Sequence, residues 1–411
     1  MKTEGPIRKQ KEERMDQFIH YYKKIILRVL LMPLRIMPIK QNRVFMHNDL
    51  AYNYSCNPKY VTEYLLKKYP AQFEIIISTK YPDRYKYLNS KGRKVVKFNS
   101  FLYFFYAMTS KVFLTNSGGF SYIPMRKSQI VINTHHGGGA YKKIGRYVYG
   151  DTPIFRKDLL LSANLTTVFL STCRRFTEVV SDSLLVPKEK FWEIGMPRND
   201  ILIQRNEEEY RRVREKIGLK EGEYLVLYAP TYRKTDDNYF KDSISICYGI
   251  DCNRVCADLS KRFGGKWVFG FRFHPCVTNR DQFPEGNIID LSDYEEMQEL
   301  LLAADVMIND FSSSMWDYML TGRPSFMFAV DMEHYIATTD VETPVSEWPF
   351  PKSTNNDELE HSILNFDEEK YKKDCEEHYR ALGGCESGRA TEMVGDYIYK
   401  TCFKAGAGET R

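Results

Sequence analysis

The sequence predicts an α/β protein with two domains, each built on a largely parallel β-sheet. Short β-rich runs alternate with helical stretches, and this alternation starts again after the highly charged helical segment Glu207–Leu219. Alternation of this kind indicates βαβ units, because parallel strands need a crossover helix between them. A length of 411 residues also suits two domains. We therefore predict two sheets joined near residue 210.

Strands in the first half are predicted where β-branched and aromatic residues cluster between helical stretches. They are Arg43–Met46, Phe73–Ser78, Lys94–Phe98, Val112–Thr115, Ile130–Thr134 and Thr167–Ser171. The helices Pro58–Lys68 and Arg174–Leu185 lie between or after these strands.

The second half repeats the alternation. Its predicted strands are Tyr224–Tyr228, Trp267–Phe273, Ile288–Leu291, Val306–Asn309 and Ser325–Phe328. Its predicted helices are Asn253–Phe263, Tyr294–Leu302 and Ser313–Leu320. Because ligands bind beyond the carboxyl ends of parallel strands, we expect the site at strand ends, in the cleft between the two domains.

The positive charge is concentrated at the N-terminus. Residues 1–43 carry eleven Lys or Arg and four Asp or Glu, a net charge of +7, whereas the whole chain carries only +5. The remainder is therefore slightly acidic. A nucleic-acid enzyme would spread basic charge over its body, so nucleic acid is not expected as a partner.

A helix with an apolar stripe is predicted inside this basic arm. Apolar residues recur at helical spacing from Phe18 to Val29, and Lys23, Lys24 and Arg28 lie mostly off the stripe. Such a helix suits an anionic membrane surface. The alternative is an ordinary amphipathic helix packed on the body, with its basic face in solvent. We predict residues 1–42 as a membrane-associating arm.

Neither a membrane span nor a disulfide framework is expected. The most apolar run, Ile25–Ile39, is interrupted by arginines and prolines and is shorter than the roughly 20 residues that a span needs. The nine cysteines are scattered and form no Cys-x-x-Cys pair. This usage indicates a reduced, cytoplasmic protein without a zinc site.

Two sequence segments of the first half are candidates for a binding site, and the first of them directly follows a predicted strand. The first, Asn133–Lys143, contains two histidines, three glycines and two lysines. Free N–H groups in a Gly-rich loop can cradle a phosphate, and a histidine there could act as a general base. The second, Gly195–Asp200, reads as a Gly-Pro turn in which Asn199 or Asp200 could cap the next helix.

Three further segments lie at strand ends of the second half. In Tyr228–Arg233, Arg233 could clamp a phosphate oxygen, and Thr231 could donate a hydrogen bond. Phe271–Pro275 ends a strand at a histidine, which could serve acid–base chemistry or contact phosphate. Ile308–Tyr318 passes through a Ser-rich turn into a helix, whose N-terminus suits an anion; plain N-capping by Ser312 or Ser313 is the alternative.

Taken in this order, the segments resemble the CDP-glycerol glycerophosphotransferase family of teichoic acid and related surface-polymer synthesis. The resemblance runs from about Arg43 to about residue 365. Gly195–Asp200, Tyr228–Arg233, His274-Pro275 and Asp310–Tyr318 match the family closely. The Gly-rich loop departs from it, because His135 replaces a Trp, and Gly138 and Gly139 stand where Thr-Pro is usual.

The resemblance implies a GT-B-like architecture with two Rossmann-like domains facing across a cleft. We take 43–210 as the acceptor domain and 211–411 as the nucleotide-donor domain. The implied donor is CDP-glycerol or CDP-ribitol. The implied acceptor is a lipid-linked saccharide or growing polymer at the cytoplasmic face of the cell membrane. Neither cofactor nor metal is expected, and the formation of a homo-oligomer is left open.

The resemblance also implies the site residues. Gly137 must follow the family histidine, so His136 is taken as the catalytic base and His274 as its partner in charge stabilisation. The expected substrate-binding residues are Gly137, Gly138, Lys142, Arg198, Asn199, Thr231, Arg233, Pro275, Asn309, Asp310, Ser312, Ser313 and Asp317.

Two other functions are compatible with this organisation. A glycosyltransferase of the same architecture would move a sugar from a nucleotide sugar, with attack at an anomeric carbon. A membrane-associated assembly protein would bind nucleotide or polymer without turnover. The altered Gly-rich loop favours the assembly protein, whereas the presence of both His136 and His274 argues against it.

Overall fold

The computed structural model describes residues 6–48, 53–90, 92–139, 141–231, 249–274, 288–339 and 341–403. It divides into two compact units. The first unit comprises Met1–Arg198 and Cys385–Arg411, and the second comprises Asn199–Gly384. The predicted ranges 43–210 and 211–411 differ from this division, since residues 199–210 belong to the second unit and the last residues return to the first.

The strands are β1 (Lys40–His47), β2 (Glu74–Thr79), β3 (Arg93–Lys97), β4 (Ser110–Thr115), β5 (Ile130–Asn133), β6 (Val168–Ser171), β7 (Phe191–Glu193), β8 (Glu223–Tyr228), β9 (Lys266–Phe271), β10 (Ile288–Asp290), β11 (Val306–Asn309), β12 (Ser325–Phe328) and β13 (Lys352–Ser353). The predicted strands are thus confirmed to within a few residues. Two short strands, β7 and β13, were not predicted.

The helices are α1 (Pro6–Leu31), α2 (Cys56–Lys68), α3 (Phe101–Thr109), α4 (Arg146–Tyr149), α5 (Pro153–Leu165), α6 (Arg174–Leu184), α7 (Asp200–Gln204), α8 (Glu207–Lys216), α9 (Cys252–Phe263), α10 (Met297–Ala303), α11 (Ser314–Met319), α12 (Met332–Thr338), α13 (Asn356–Leu364), α14 (Glu368–Ala381) and α15 (Ala390–Phe403). The helix predicted from Tyr294 begins three residues later, at Met297.

The first unit has a seven-stranded sheet in the order β3-β2-β1-β4-β5-β6-β7, and its paired strands are parallel. The strand order reverses between β1 and β4, which makes the carboxyl ends of these two strands the topological switch point. Helices cover both faces, so the strands are nearly continuous apolar runs rather than alternating ones.

Alternate residues of β1 enter two separate cores. Val44 and Met46 pack in the cluster that also holds Val61 and Leu65 of α2. Phe45 packs on the opposite face with residues of α3. This alternation follows from the two-residue period of side-chain direction along a strand.

The C-terminal helix α15 completes the first core. Its Val394 and Ile398 are fully buried in the same cluster as Val61 and Leu65. This burial is the physical reason why the chain returns to the first unit after residue 384.

The second unit has a six-stranded sheet in the order β10-β9-β8-β11-β12-β13, again with parallel pairs. Its order reverses between β8 and β11. Residues 228–231 of the first predicted segment and the predicted Ile308–Tyr318 segment lie at the carboxyl ends of these two strands, so they meet at one switch point.

Helix α1 packs on the first unit through Leu27 and Leu31, which join the core around Phe45, and through two basic residues. Lys24 Nζ lies 2.5 Å from Asp158 Oδ2, and Arg28 Nη1 donates to the carbonyls of Ser121 and Ile123 at 2.5 and 3.0 Å. The apolar stripe faces outward instead, with Ile26 59% exposed and Val29 65% exposed. The alternative, a helix packed on the body with a solvated basic face, is correct in that α1 packs on the body and Lys23 is exposed, but wrong for Lys24 and Arg28, which are bound to the body. No helix in the described ranges is long and apolar enough to cross a membrane.

Candidate functional site

The predicted base, His136, lies just beyond the carboxyl end of β5, beside the end of β4. Its Nδ1 is 3.0 Å from the carbonyl oxygen of Asn116. A carbonyl oxygen can only accept a hydrogen bond, so Nδ1 carries a proton, and in the neutral ring Nε2 keeps its lone pair. The side chain is exposed. His136 thus presents a proton acceptor in a fixed tautomer at the sheet's carboxyl edge.

The neighbouring His135 is held differently. Its ring stacks on that of His136 with centroids 4.8 Å apart, and it packs against Phe169 and Phe176. The Gly137 N–H donates to its Nδ1 at 3.1 Å. Burial, with a smaller contribution from the neighbouring His136, lowers the pKa of His135 to about 3. A ring that stays neutral and enclosed supports a structural role, which favours His136 as the base.

The Gly-rich loop uses its backbone N–H groups internally. Gly137 donates to His135, as described, and Gly139 N–H donates to the Thr172 hydroxyl at 2.9 Å. Two donors expected to cradle a phosphate are therefore bound within the first unit. Gly139 has a φ of +66°, and a Cβ there would lie 2.0 Å from the Tyr141 ring, so only glycine fits.

Arg198 binds the histidine loop from the Gly195–Asp200 turn. Its Nη1 donates to the His136 carbonyl and lies 3.5 Å from Cys56 Sγ. The residue is only 6% exposed. The structure therefore brings Arg198 to His136, and Arg198 supports the backbone of the predicted base. The half-buried Lys142 follows the loop.

In the second unit, Asp310 links the two strand ends at the switch point. It is fully buried, and its Oδ1 accepts from the Thr231 N–H at 2.8 Å. Its own N–H donates to Asn309 Oδ1, and Asn309 Nδ2 donates to Ser314 Oγ at 2.7 Å. Asn309, Asp310 and Thr231 thus shape one turn.

The serines of this turn lie at the start of α11. Ser312 is half-buried, with its Oγ 3.0 Å from Ser314 Oγ, and Ser313 is exposed. Ser313 occupies the N-cap position, but its side chain makes no capping hydrogen bond. Capping by Ser313 is therefore wrong, whereas Ser312 Oγ accepts from the Ser314 N–H at 3.5 Å, so the capping alternative stays open for Ser312.

Asp317 is buried and bound on both carboxylate oxygens. Asn199 Nδ2 donates to Oδ1 at 3.2 Å, and Gln298 Nε2 donates to Oδ2 at 2.9 Å. Asn199 also makes no side-chain cap to α7. Asp317 and Asn199 therefore hold elements of the second unit together. Sequence reasoning missed Gln298, because an amide inside a predicted helix gives no sign of its partner.

His274 follows β9 at the carboxyl edge of the second sheet and is half-buried. Arg233 and Pro275, both predicted to bind substrate, lie outside the described residues. Before His274, Arg272 donates from Nη2 to the Tyr294 carbonyl at 3.0 Å, and burial lowers its pKa to about 10. Arg272 thus fixes the strand end that carries His274.

Sequence reasoning also missed Asn57 and Asn116. Asn116 acts through its backbone carbonyl, which no sequence pattern reports. Asn57 is an amide at the start of a helix, and its contacts come from segments about 80 and 140 residues away. Within the described ranges, no group of three or more His, Cys, Asp or Glu side chains is arranged to hold a metal ion.

Two α/β units with parallel sheets, each with its polar segments after the carboxyl ends of strands, define a GT-B-like protein. A solved structure of the wall teichoic acid polymerase TagF has this fold, with a TM-score of 0.79 and 25% identity over 95% of this chain and 98% of that one. Residues 30–400 match the family described as CDP-Glycerol:Poly(glycerophosphate) glycerophosphotransferase. The chain belongs to that family.

Curated relatives agree with this assignment. The teichoic acid poly(glycerol phosphate) polymerase of Staphylococcus epidermidis is 29% identical over 361 residues, which are 85% of this chain but 49% of that protein. The teichoic acid glycerol-phosphate transferase of Staphylococcus aureus is 24% identical over 88% of this chain and 93% of its own length. A ribitol-phosphate polymerase of the same organism, TarK, is 24% identical over 86% of this chain and 69% of its own length.

Proposed function

We propose that the protein transfers glycerol phosphate or ribitol phosphate from a CDP-polyol to a hydroxyl of a membrane-linked acceptor and releases CMP. The acceptor is a lipid-linked saccharide or a polyol-phosphate chain of a cell-surface polymer, a teichoic acid or a capsule. Family membership supports the reaction class, and a TagF variant was soaked with CDPG for structure determination.

One observation carries the proposal: His136 Nδ1 lies 3.0 Å from the Asn116 carbonyl oxygen, a contact that selects the tautomer of the ring. With Nδ1 bound to the Asn116 carbonyl, Nε2 is ready to accept a proton from an acceptor hydroxyl. Its exposure at the carboxyl edge of the parallel sheet agrees with where ligands bind in such sheets.

The chemical step follows from this base. The acceptor oxygen attacks the β-phosphorus of the donor as its proton passes to His136 Nε2. The new O–P bond forms while the bond from the β-phosphorus to the bridging oxygen breaks. CMP leaves with that oxygen. Charge on the transferring phosphoryl group is stabilised by His274 and Arg233.

Donor phosphates are bound by the second unit in this proposal. The exposed Ser313 and the half-buried Ser312 offer hydroxyl donors beside the turn that Asp310 fixes. The direct roles of Gly137, Gly138, Lys142 and Thr231 remain predictions. Asn309, Asp310, Asn199 and Asp317 shape the site through the contacts described above.

Membrane association is the second part of the proposal. The exposed apolar stripe of α1, which comprises Phe18, Tyr22, Ile26, Val29 and Leu30, is a suitable surface for insertion into the boundary of headgroups and acyl chains. Because Lys24 and Arg28 are bound to the body, insertion of apolar side chains is favoured over attraction by these two charges. We place the protein at the cytoplasmic face of the cell membrane.

CMP release by the purified protein tests the reaction. We would compare CDP-glycerol, CDP-ribitol and a UDP-sugar, each with and without a lipid-linked acceptor analogue, and repeat the active condition with EDTA. We expect acceptor-dependent CMP release from one CDP-polyol, unchanged by EDTA because no metal or cofactor is expected. Turnover of the UDP-sugar alone would establish the glycosyltransferase instead. No turnover of any donor by folded protein would favour the assembly protein.

A further inference from the structure

One fully buried side chain joins the two segments that carry His136 and Arg198. Asn57, near the start of α2, is 0% exposed. Its Nδ2 donates to the carbonyls of Thr134 and His135 at 3.2 and 2.8 Å. Its Oδ1 accepts from the Arg198 N–H at 3.0 Å. A single amide therefore satisfies backbone groups of both segments.

The backbone around these contacts is strained. Cys56 and His135 both adopt left-handed conformations, with φ of 62° and 52°. Non-glycine residues keep such conformations only where surrounding contacts fix them. Asn57 follows Cys56 directly and binds the His135 carbonyl, so it is placed to hold both residues in their left-handed conformations.

We infer that Asn57 is a positioning residue for phosphoryl transfer, which fixes the backbone of the histidine loop and of Arg198 so that His136 keeps its place beside Asn116. This inference rests on the proposed function. Asn57 does not reach the reacting atoms itself. It acts through the Thr134 and His135 carbonyls, two residues and one residue before the base, and through Arg198, which binds the His136 carbonyl.

The chain offers a matched control in Gln129. This amide is 3% exposed, donates from Nε2 to the carbonyls of Ala107 and Ser110 at 2.9 and 2.8 Å, and accepts from the Arg126 N–H at 3.0 Å. Gln129 therefore makes the same pattern of hydrogen bonds as Asn57, and it lies in the same unit. It differs in position, because it lies just before β5, at the amino end of that strand. Gln129→Ala removes equivalent bonds away from the base.

The test compares Asn57→Ala, Asn57→Asp and Gln129→Ala with the unchanged protein. Asn57→Asp keeps the side-chain shape and the acceptor for Arg198 but loses both donated bonds. We expect both Asn57 variants to lower kcat by about 10²-fold, the scale that a displaced catalytic group produces, with KM for the CDP-polyol donor unchanged. Gln129→Ala should lower Tm as Asn57→Ala does. At temperatures below its Tm, however, it should keep the kcat of the unchanged protein.

A second readout needs no turnover. Deuterium exchange at the imidazole C2 position, followed by mass spectrometry, reports how well each histidine is enclosed. We expect both Asn57 variants, and not Gln129→Ala, to lose protection at His135. Full kcat in Asn57→Asp, or equal kcat losses in Asn57→Ala and Gln129→Ala, would overturn the inference, as would unchanged protection at His135. If the unchanged protein turns over no donor, the proposed function fails, and the exchange data still decide whether Asn57 fixes the loop.

Discussion

At the scale of single residues, the two adjacent histidines show what the sequence could and could not predict. Family resemblance alone chose His136 over His135. The structure gives a physical argument for the same choice, because the Asn116 carbonyl fixes one ring and aromatic packing encloses the other. A backbone carbonyl from the neighbouring strand has no signature in the sequence. The side-chain partner Gln298 of Asp317 was missed because an amide inside a predicted helix gives no sign of its contact.

His47 at the end of β1 gives a pH-dependent prediction. Burial among Phe98, Tyr103 and Phe113 lowers its pKa to about 4. The unfolded imidazole takes up a proton below about pH 6.5. Between these values the unfolded state binds more protons, so stability falls as pH falls. Between pH 7.5 and pH 5 we expect the free energy of unfolding to fall, and about 2 kcal/mol of this fall to come from His47.

Urea unfolding of His47→Phe at these two pH values measures this contribution. The variant keeps an aromatic ring in the cluster and removes the titrating group, so its loss of stability should be smaller by about 2 kcal/mol. A substitution of His334, which is exposed in α12, is the control. It should leave the difference in the free energy of unfolding between the two pH values unchanged. An identical loss in His47→Phe and the unchanged protein would show that His47 is not buried in its neutral form.

At the scale of elements, the central strands were predictable because parallel strands buried on both faces read as continuous apolar runs. The two-residue β13 is too short to give a periodic pattern. Helix α1 shows a different limit. Its periodicity predicted an apolar stripe and a basic side, but the pattern does not say which side packs. The side that packs depends on Asp158, which binds Lys24, and on the carbonyls of Ser121 and Ile123, which bind Arg28.

The outward stripe of α1 predicts how the protein binds vesicles. Replacing Ile26, Val29 and Leu30 by Gln should weaken co-sedimentation with anionic lipid vesicles by at least about tenfold, because each loses apolar area that would enter the bilayer boundary. Ile336→Gln, an exposed apolar residue of α12, is the control. Vesicle binding that is equally strong in the triple variant would mean that α1 is not the membrane-binding surface.

At the scale of the whole molecule, two α/β units could be predicted, but the path of the C-terminus could not. A chain that alternates strand and helix gives no sign that its last helix returns to the first sheet. The contacts that decide this join residues more than 300 positions apart, such as the Tyr64 hydroxyl with Asp396 at 2.9 Å.

Ile398→Ala tests this return. The side chain is fully buried with residues of α2, so its truncation should lower the free energy of unfolding of the first unit by about 2–5 kcal/mol. The change is measured by urea unfolding. Met393→Ala, on the same helix but 43% exposed, should stay within about 0.5 kcal/mol. Equal effects from the two variants would contradict the assignment of α15 to the first core.

The central claim is that His136 is the base of a polyol-phosphate transfer, and acceptor-dependent CMP release by His136→Gln tests it most directly. Glutamine keeps a polar side chain but cannot take the proton, so we expect turnover to fall about 10²- to 10⁴-fold while the protein stays folded. Near-normal CMP release from folded His136→Gln, under conditions where the unchanged protein is active, would contradict the account.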